Sequence, residues 1–259
     1  MTDLRLSPSV ARLLALIDPE TVIDELYGDL GSDVYDAMTR ADDSEVREVL
    51  RAARRTSGRI LELACGSGRL TLPLARLGRE ITALDSSPRM LNLLRARATG
   101  IAGVRIVEAD MSDLVLDGEF GLIVLATTSV TLLTPPQRAR LLDGVRQRLS
   151  ADGLFLVSVH TTRPRAGGTT IVPLPDEASG VVILSEEPDR EDEHREISVL
   201  HLRSELGRTR ARAYASRVAL LDEPQLCEEL REAGFTVVSA SPVRVAGGGI
   251  AVSMIEAAR

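Results

Sequence analysis

Three acids, Glu62, Asp85 and Asp110, lie in or at the end of short apolar runs at residues 59–64, 80–84 and 104–109. Each run has the length of a strand. Cys65-Gly66-Ser67-Gly68 follows the first run at once. Glycines at 66 and 68 let backbone approach a bound molecule without a Cβ in the way. A carboxylate at the tip of the neighbouring strand, Asp85, can accept from both hydroxyls of a ribose. His160 closes a later apolar run, 153–159, and an imidazole titrates near neutrality. Together these residue types suit nucleoside binding beside a proton acceptor.

The elements that must position them follow from periodicity. Residues 69–78 read as a helix with Leu70, Leu74 and Leu77 on one face. Strand, glycine turn, helix, strand and acid make a βαβ unit, which winds right-handed. Its turn lies at the carboxyl end of a parallel strand, where open α/β sheets bind ligands. A dinucleotide fold wants a third glycine where this chain has Thr71, which argues against a pyrophosphate binder. After Asp85, Ser86-Ser87-Pro88 starts a helix whose inner face carries Met90, Leu91 and Leu94. Residues 120–126 are apolar throughout, as a central parallel strand requires, and run into Thr127-Thr128-Ser129. No Asp or Glu stands there, so no bound metal is expected. Residues 135–149 read as the next helix.

Two segments fall outside this core. Residues 8–55 read as helices, with Val10, Leu13, Leu14 and Ile17 on one face and Val46, Val49 and Leu50 on another. A glycine-broken acidic stretch, 27–36, lies between them. Residues 161–220 open with Gly167-Gly168 and prolines and then alternate as strands at 181–184, 197–202 and 210–218. The charged stretch 186–196 and Gly207 separate them, and an antiparallel meander is expected. Residues 223–233 read as a helix, 235–240 as a strand and 249–257 as the last strand. The expected division is 1–55 as an N-terminal helical segment, 56–160 with 221–259 as the core, and 161–220 as an antiparallel insert.

Composition narrows the chemistry. The 259 residues carry 31 basic groups against 38 acidic ones, for a net charge of −7. Every basic one is Arg, which excludes a Schiff-base lysine and a Walker-type phosphate lysine. The acidic balance argues against a nucleic-acid backbone as partner. Six aromatic residues and no Trp make a stacking platform for single strands a poor fit. No apolar run reaches membrane-span length and the start lacks a signal-peptide pattern. A protein free of the membrane, in the cytoplasm, is expected. Cys65 and Cys227 fit neither a disulfide framework nor a zinc site.

The run Glu62-Leu63-Ala64-Cys65-Gly66-Ser67-Gly68 resembles the first motif of class I S-adenosylmethionine-dependent methyltransferases. The acids at 85 and 110 recur where that family places its second and third. The resemblance covers roughly residues 45–160 and 222–257. It implies an α/β fold with a Rossmann-like seven-stranded sheet, its last strand antiparallel, and S-adenosylmethionine as cofactor. Glu62 would help organise the methionine amino end, Asp85 would hold the ribose and Asp110 the adenine amino group, with Met111 on the ring. Ala64, Cys65, Ser67, Arg69, Ser86, Met90, Ala126, Thr127 and Thr128 complete the implied cofactor shell beside Gly66 and Gly68.

An N-terminal lid with Tyr35-Asp36 and an insert after the fifth strand resembles small-molecule amine N-methyltransferases. The phrasing 34–50 and 62–78 is also similar to methyltransferases of daptide-type ribosomal peptide pathways. Lid and insert are then expected over the active site, with Tyr27 and Tyr35 near the cofactor. A ring face attracts cations, though Tyr35 between two packed helices is an equal alternative. His160 is the first candidate for proton acceptance, ahead of His201 and Tyr214; His194 reads as a solvated residue in a charged loop. The expected partner is a small-molecule or peptide amine, and a homodimer is compatible with it. O-methylation of a hydroxyl and a catalytically silent partner protein remain the alternatives.

Overall fold

The computed structural model describes residues 4–18, 20–164, 166–174, 180–189, 193–205, 208–243 and 251–259. In chain order they form α1 (Pro8–Ile17), β1 (Ile23–Glu25), α2 (Asp29–Thr39), α3 (Val46–Arg55), β2 (Ile60–Leu63), α4 (Thr71–Ala75), β3 (Ile81–Asp85), α5 (Pro88–Arg97), β4 (Val104–Glu108) and β5 (Phe120–Leu125). A 3-10 turn (Ser129–Leu132) leads to α6 (Pro135–Arg148) and β6 (Leu149–His160). Then come β7 (Gly168–Pro173), β8 (Val181–Asp189), β9 (His194–Glu205), β10 (Arg208–Ala219), α7 (Glu223–Glu232), β11 (Thr236–Val243) and β12 (Val252–Ala258). Helix starts are chemically marked. The Ser87 hydroxyl accepts the Met90 N–H at 3.3 Å and Asp222 accepts the Gln225 N–H at 3.2 Å. Each cap precedes a proline in the first turn, where its missing N–H costs nothing.

Asp42–Arg163 and Leu221–Arg259 form one compact unit. Its seven strands run in the order β11-β12-β6-β5-β2-β3-β4. β4, β3, β2, β5 and β6 are parallel neighbours. β12 is antiparallel to β6 and to β11. This is the Rossmann-like sheet that the resemblance implies. Every residue of β2 and β5 is buried, because both sheet faces are covered. Leu61, Leu63, Ile123, Phe155 and Val157 face α6 and α7. Ile60, Val124 and Leu156 pack in a second cluster with Val49, Ala52 and Ala53 of α3. Helix α3, read from the sequence with the N-terminal segment, thus packs in this unit. The helix expected over 69–78 shortens to the five residues of α4, because residues 66–70 are used in turns.

Met1–Ala41 and Pro164–Leu220 form the other unit. It holds a five-stranded sheet in the order β1-β10-β9-β8-β7. Neighbours from β10 to β7 are antiparallel, as expected for a meander. β1 is parallel to β10, with Ile23 opposite Ala213 and Glu25 opposite Ala215. One face packs Val10 and Leu14 of α1 on Leu200, Ala211 and Ala213. The other packs Leu26 and Val34 on Val182, Val199 and Tyr214.

Three expectations change here. The stretch 8–55 is not all helix, since β1 interrupts it; three residues carry no periodicity, and their pairing comes from a strand almost two hundred positions on. Four strands stand where three were expected. β7 lay hidden between Gly168 and Pro173, residues that break central strands but suit an edge. β8 and β9 also run into the charged stretch 186–196, and His194 opens β9 opposite Ala219 and Asp189 rather than lying in a loop. There Glu186 and Arg195 form an ion pair at 3.5 Å, so the charges belong to strands. The expected break at Gly207 and the start of the last strand at Gly249 lie outside the described residues. No helix among the described residues is long and apolar enough to cross a membrane.

Candidate active site

The carboxyl edge of the seven-stranded sheet carries two tight turns. The first leaves β2. Ala64, Gly66 and Gly68 all take positive φ, at 50°, 54° and 95°. The Cys65 N–H reaches Leu84 O at 3.0 Å, and the Gly68 N–H reaches Cys65 O at 3.0 Å. The two glycines then divide their roles. A Cβ on Gly66 would meet no atom within 4 Å, so that position faces open space. A Cβ on Gly68 would lie 2.4 Å from Leu94 Cδ1 of α5. Gly68 therefore serves the turn and its packing, and only Gly66 offers the close approach expected of both.

Asp85 closes the turn from the next strand. One carboxylate oxygen accepts the Gly66 N–H at 2.8 Å and the other the Ser87 N–H at 2.8 Å. With the Ser86 N–H also directed at the Asp85 carboxylate, about one of its roughly four acceptor positions remains for a hydroxyl. Burial raises the Asp85 pKa, opposed by the N–H groups of Ser87, Gly66 and Ser86. Glu62 lies deeper, 3% exposed, and accepts the Thr71 hydroxyl at 2.6 Å. Burial pushes its pKa up to about 8, with the Thr71 bond and the Arg69 charge acting downward and the Asp85 charge upward. A cation placed beside it would restore its ionised form. Burial also pushes the Cys65 thiol up, which leaves it inert. Asp110 is exposed after β4 and accepts the Ser112 N–H at 2.7 Å, the cap role compatible with adenine binding. Met111 is buried in the cluster with Leu61 and Leu63. Ser86 is exposed, whereas Met90 and Ser67 are buried.

The second turn leaves β5. After buried Ala126, Thr127 and Thr128 both take left-handed backbone, at φ 59° and 53°, a conformation non-glycine residues rarely adopt. Glu45, just before α3, is left-handed too, at φ 68°. Its two carboxylate oxygens accept the Thr127 N–H at 3.0 Å each. Arg69 Nη2 donates to Glu45 at 2.7 Å and to the Thr127 hydroxyl at 2.7 Å. Its Nη1 donates to the carbonyls of Asp42 and Ser44. From the other side Ser158 of β6 accepts the Thr128 N–H at 3.0 Å.

Register places His160 in this neighbourhood. Glu62 is opposite Val124 and Val124 opposite Leu156, so with strand alternation Glu62, Ser158 and His160 share one sheet face. His160 is buried, opposite Val252 and bridged to Asp222. The four remaining predicted residues stand in the other unit. Tyr27 and Tyr35 meet edge to face, with ring centroids 5.3 Å apart, in the cluster that contains Tyr214. Burial, then the Tyr35 hydroxyl, raises the Tyr27 pKa. Tyr35 thus packs among apolar neighbours of its own unit. His201, opposite Arg212, lies on the same sheet face as Tyr214, two cross-strand pairs along.

Glu45, Thr71 and Ser158 join the site beyond the residues expected from the sequence. Thr71 stands only where a dinucleotide motif would have its third glycine. Ser158 left a signal, a hydroxyl inside the apolar strand 153–159. Glu45 left none, since an acid before a helix is ordinary.

A family model for a methyltransferase domain matches residues 60–153. The putative methyltransferase YqeM of Bacillus subtilis is 30% identical over 132 residues, 50% of this chain and 53% of that protein. The chain spans about half the length of the curated relatives it matches. Solved structures are similar over nearly the whole chain. The glycopeptide N-methyltransferase MtfA complexed with S-adenosylhomocysteine has TM-score 0.68 and 27% identity, covering 98% of each chain. The CcbJ methyltransferase of Streptomyces caelestis has TM-score 0.71 and 25% identity, covering 91% of this chain and 99% of its own.

Proposed function

We propose that this class I S-adenosylmethionine-dependent methyltransferase acts on an amine of a small natural product or modified peptide. One observation supports the amine most. The likeness to the glycopeptide N-methyltransferase MtfA covers 98% of the chain, and so includes the N-terminal segment and the insert as well as the seven-stranded core. The proposed acceptor class spans amino sugars, glycopeptides and peptides ending in an amine, the last being the daptide-type case.

The residues of the first turn fit the cofactor. Open space at Gly66 would admit it, Asp85 would hold the ribose, and Glu62 would receive the cationic amino end. When bound, it supplies a methyl group activated on a sulfonium. The rest is alignment, and holding two reactants in register lowers a barrier by several kcal/mol. His160 is the proposed acceptor of the proton an ammonium must lose before attack. The unit holding Tyr27, Tyr35, His201 and Tyr214 is proposed to select the acceptor.

A mass-spectrometric screen of amines, amino sugars, peptides and phenols with S-adenosylmethionine tests the reading. Methylated amines are expected, with turnover unchanged by EDTA. Products methylated only on hydroxyls would replace the amine with the O-methylation alternative. Loss of turnover on chelation, restored by magnesium, would show that a metal takes part.

A further inference from the structure

The second turn is built at unusual cost. Two consecutive threonines are held left-handed, and Glu45, which holds the first of them, is left-handed itself. Of the five non-glycine residues with positive φ among the described residues, Glu45, Ala64, Thr127 and Thr128 lie in the two turns or their support, and only Glu193 lies elsewhere. Such backbone persists only where the surroundings over-determine it, and it concentrates at sites where geometry matters. Here the over-determination is explicit. Glu45 receives the Thr127 N–H on both oxygens, Arg69 bridges Glu45 and the Thr127 hydroxyl, and Ser158 receives the Thr128 N–H. Glu45 and Arg69 are almost wholly buried, with side chains 5% and 11% exposed. Charge-assisted bonds of this kind are short and directional. Arg69 directly follows Gly68, so the clamp ties the turn after β5 to the cofactor turn after β2.

We propose that Glu45 is a positioning residue for methyl transfer. With Arg69 it holds the Thr127–Thr128 turn at the sheet edge where the acceptor must come into line with the methyl group. The inference rests on the methyltransferase reading of that edge. The groups assigned to the amino end, the ribose and the adenine, Glu62, Asp85 and Asp110, are not among the hydrogen-bond partners of Glu45. Loosening the clamp is therefore expected to disturb alignment far more than cofactor binding, which Arg69, Thr127 and Thr128 only border.

Three measurements on Glu45→Ala, Glu45→Gln and Glu45→Asp decide it. Amide hydrogen exchange at Thr127 and Thr128 in the cofactor-free protein is expected to quicken at least tenfold in Glu45→Ala. Calorimetric cofactor affinity is expected to stay within threefold of the parent. With the acceptor from the screen, kcat is expected to fall at least thirtyfold while KM for the cofactor holds. Glu45→Gln, which keeps an acceptor for the N–H and loses the charge, should fall between, and Glu45→Asp should recover part of the loss. Unchanged exchange overturns the proposal, as does a cofactor affinity that falls in step with kcat or a kcat that does not fall. A parent that methylates only hydroxyls refutes the amine reading alone; the clamp is then judged by the same three measurements on that acceptor.

Discussion

The two turns at the carboxyl edge reach the same backbone region by opposite means. After β2 the chain relies mainly on glycine, at 66 and 68, which enters left-handed conformations freely, with Ala64 the one non-glycine residue beside them. After β5 it uses two threonines and compels them with a buried ion pair and a serine. The first turn is local, made by its own residues and the acid of the next strand. The second depends on Glu45, more than eighty positions away. A turn made of glycine has room to give beside a bound molecule, whereas a turn made by constraint keeps its shape.

Gly68→Val is expected to have the largest effect. A β-branched residue at φ 95°, with its Cβ against Leu94, costs about 3 kcal/mol. Thermal melting should register the loss and cofactor binding should fail with it. A variant as stable as the parent would remove the steric basis of the first turn. Asp85→Ala comes next. It removes the acceptor of the Gly66 and Ser87 N–H groups, and calorimetry should show cofactor affinity at least tenfold weaker, about 1.4 kcal/mol. Equal affinity would refute the ribose assignment.

Glu62 gives a third, through protons. Its pKa in the folded chain, about 8, lies above the ordinary 4.5, so the folded state binds the extra proton between those values. That contribution to stability is complete below about pH 4.5 and is lost as pH rises through 8. The melting temperature of the cofactor-free protein should therefore fall over that window, and Glu62→Gln should flatten the decline. Binding a cation beside Glu62 should expel the proton. Calorimetry near pH 7 in buffers of different ionisation heat should show release approaching one proton, absent in Glu62→Gln.

Thr127→Gly is expected to have the smallest effect on stability. Relief of left-handed strain offsets loss of the Arg69 bond, and the net change should stay within about 1 kcal/mol. Its kcat should nevertheless fall, since the turn regains freedom. A glycine variant with undiminished kcat would erase the distinction between the two turns.

The same distinction explains what could be read before the structure. The buried strands β2, β3 and β5 show as apolar runs, and Gly66, Gly68, Asp85 and Asp110 mark strand ends. The resemblance they carry implies the seven-stranded sheet, so sheet and first turn are legible. The clamp is not. Arg69 resembles any arginine after a glycine turn, and nothing near Glu45 in sequence points to Thr127. β1 and β7 failed for a related reason. One is three residues long and the other is bounded by Gly168 and Pro173, and each gains its strand character from a neighbour that only the folded chain supplies.

The parallel pairing of β1 with β10 also sets an order of events during synthesis. Ile23–Glu25 leaves the ribosome some 190 residues ahead of its partner residues Ala213–Ala215. At roughly 5–20 residues per second, the N-terminal segment waits on the order of ten seconds or more for the strand that completes its sheet. The apolar residues of this segment, Val10 and Leu14 of α1, Val34 of α2 and Leu26 between β1 and α2, spend that interval without their native cover. Contacts so distant in sequence slow folding, and chaperones that shield exposed apolar segments would find this stretch first.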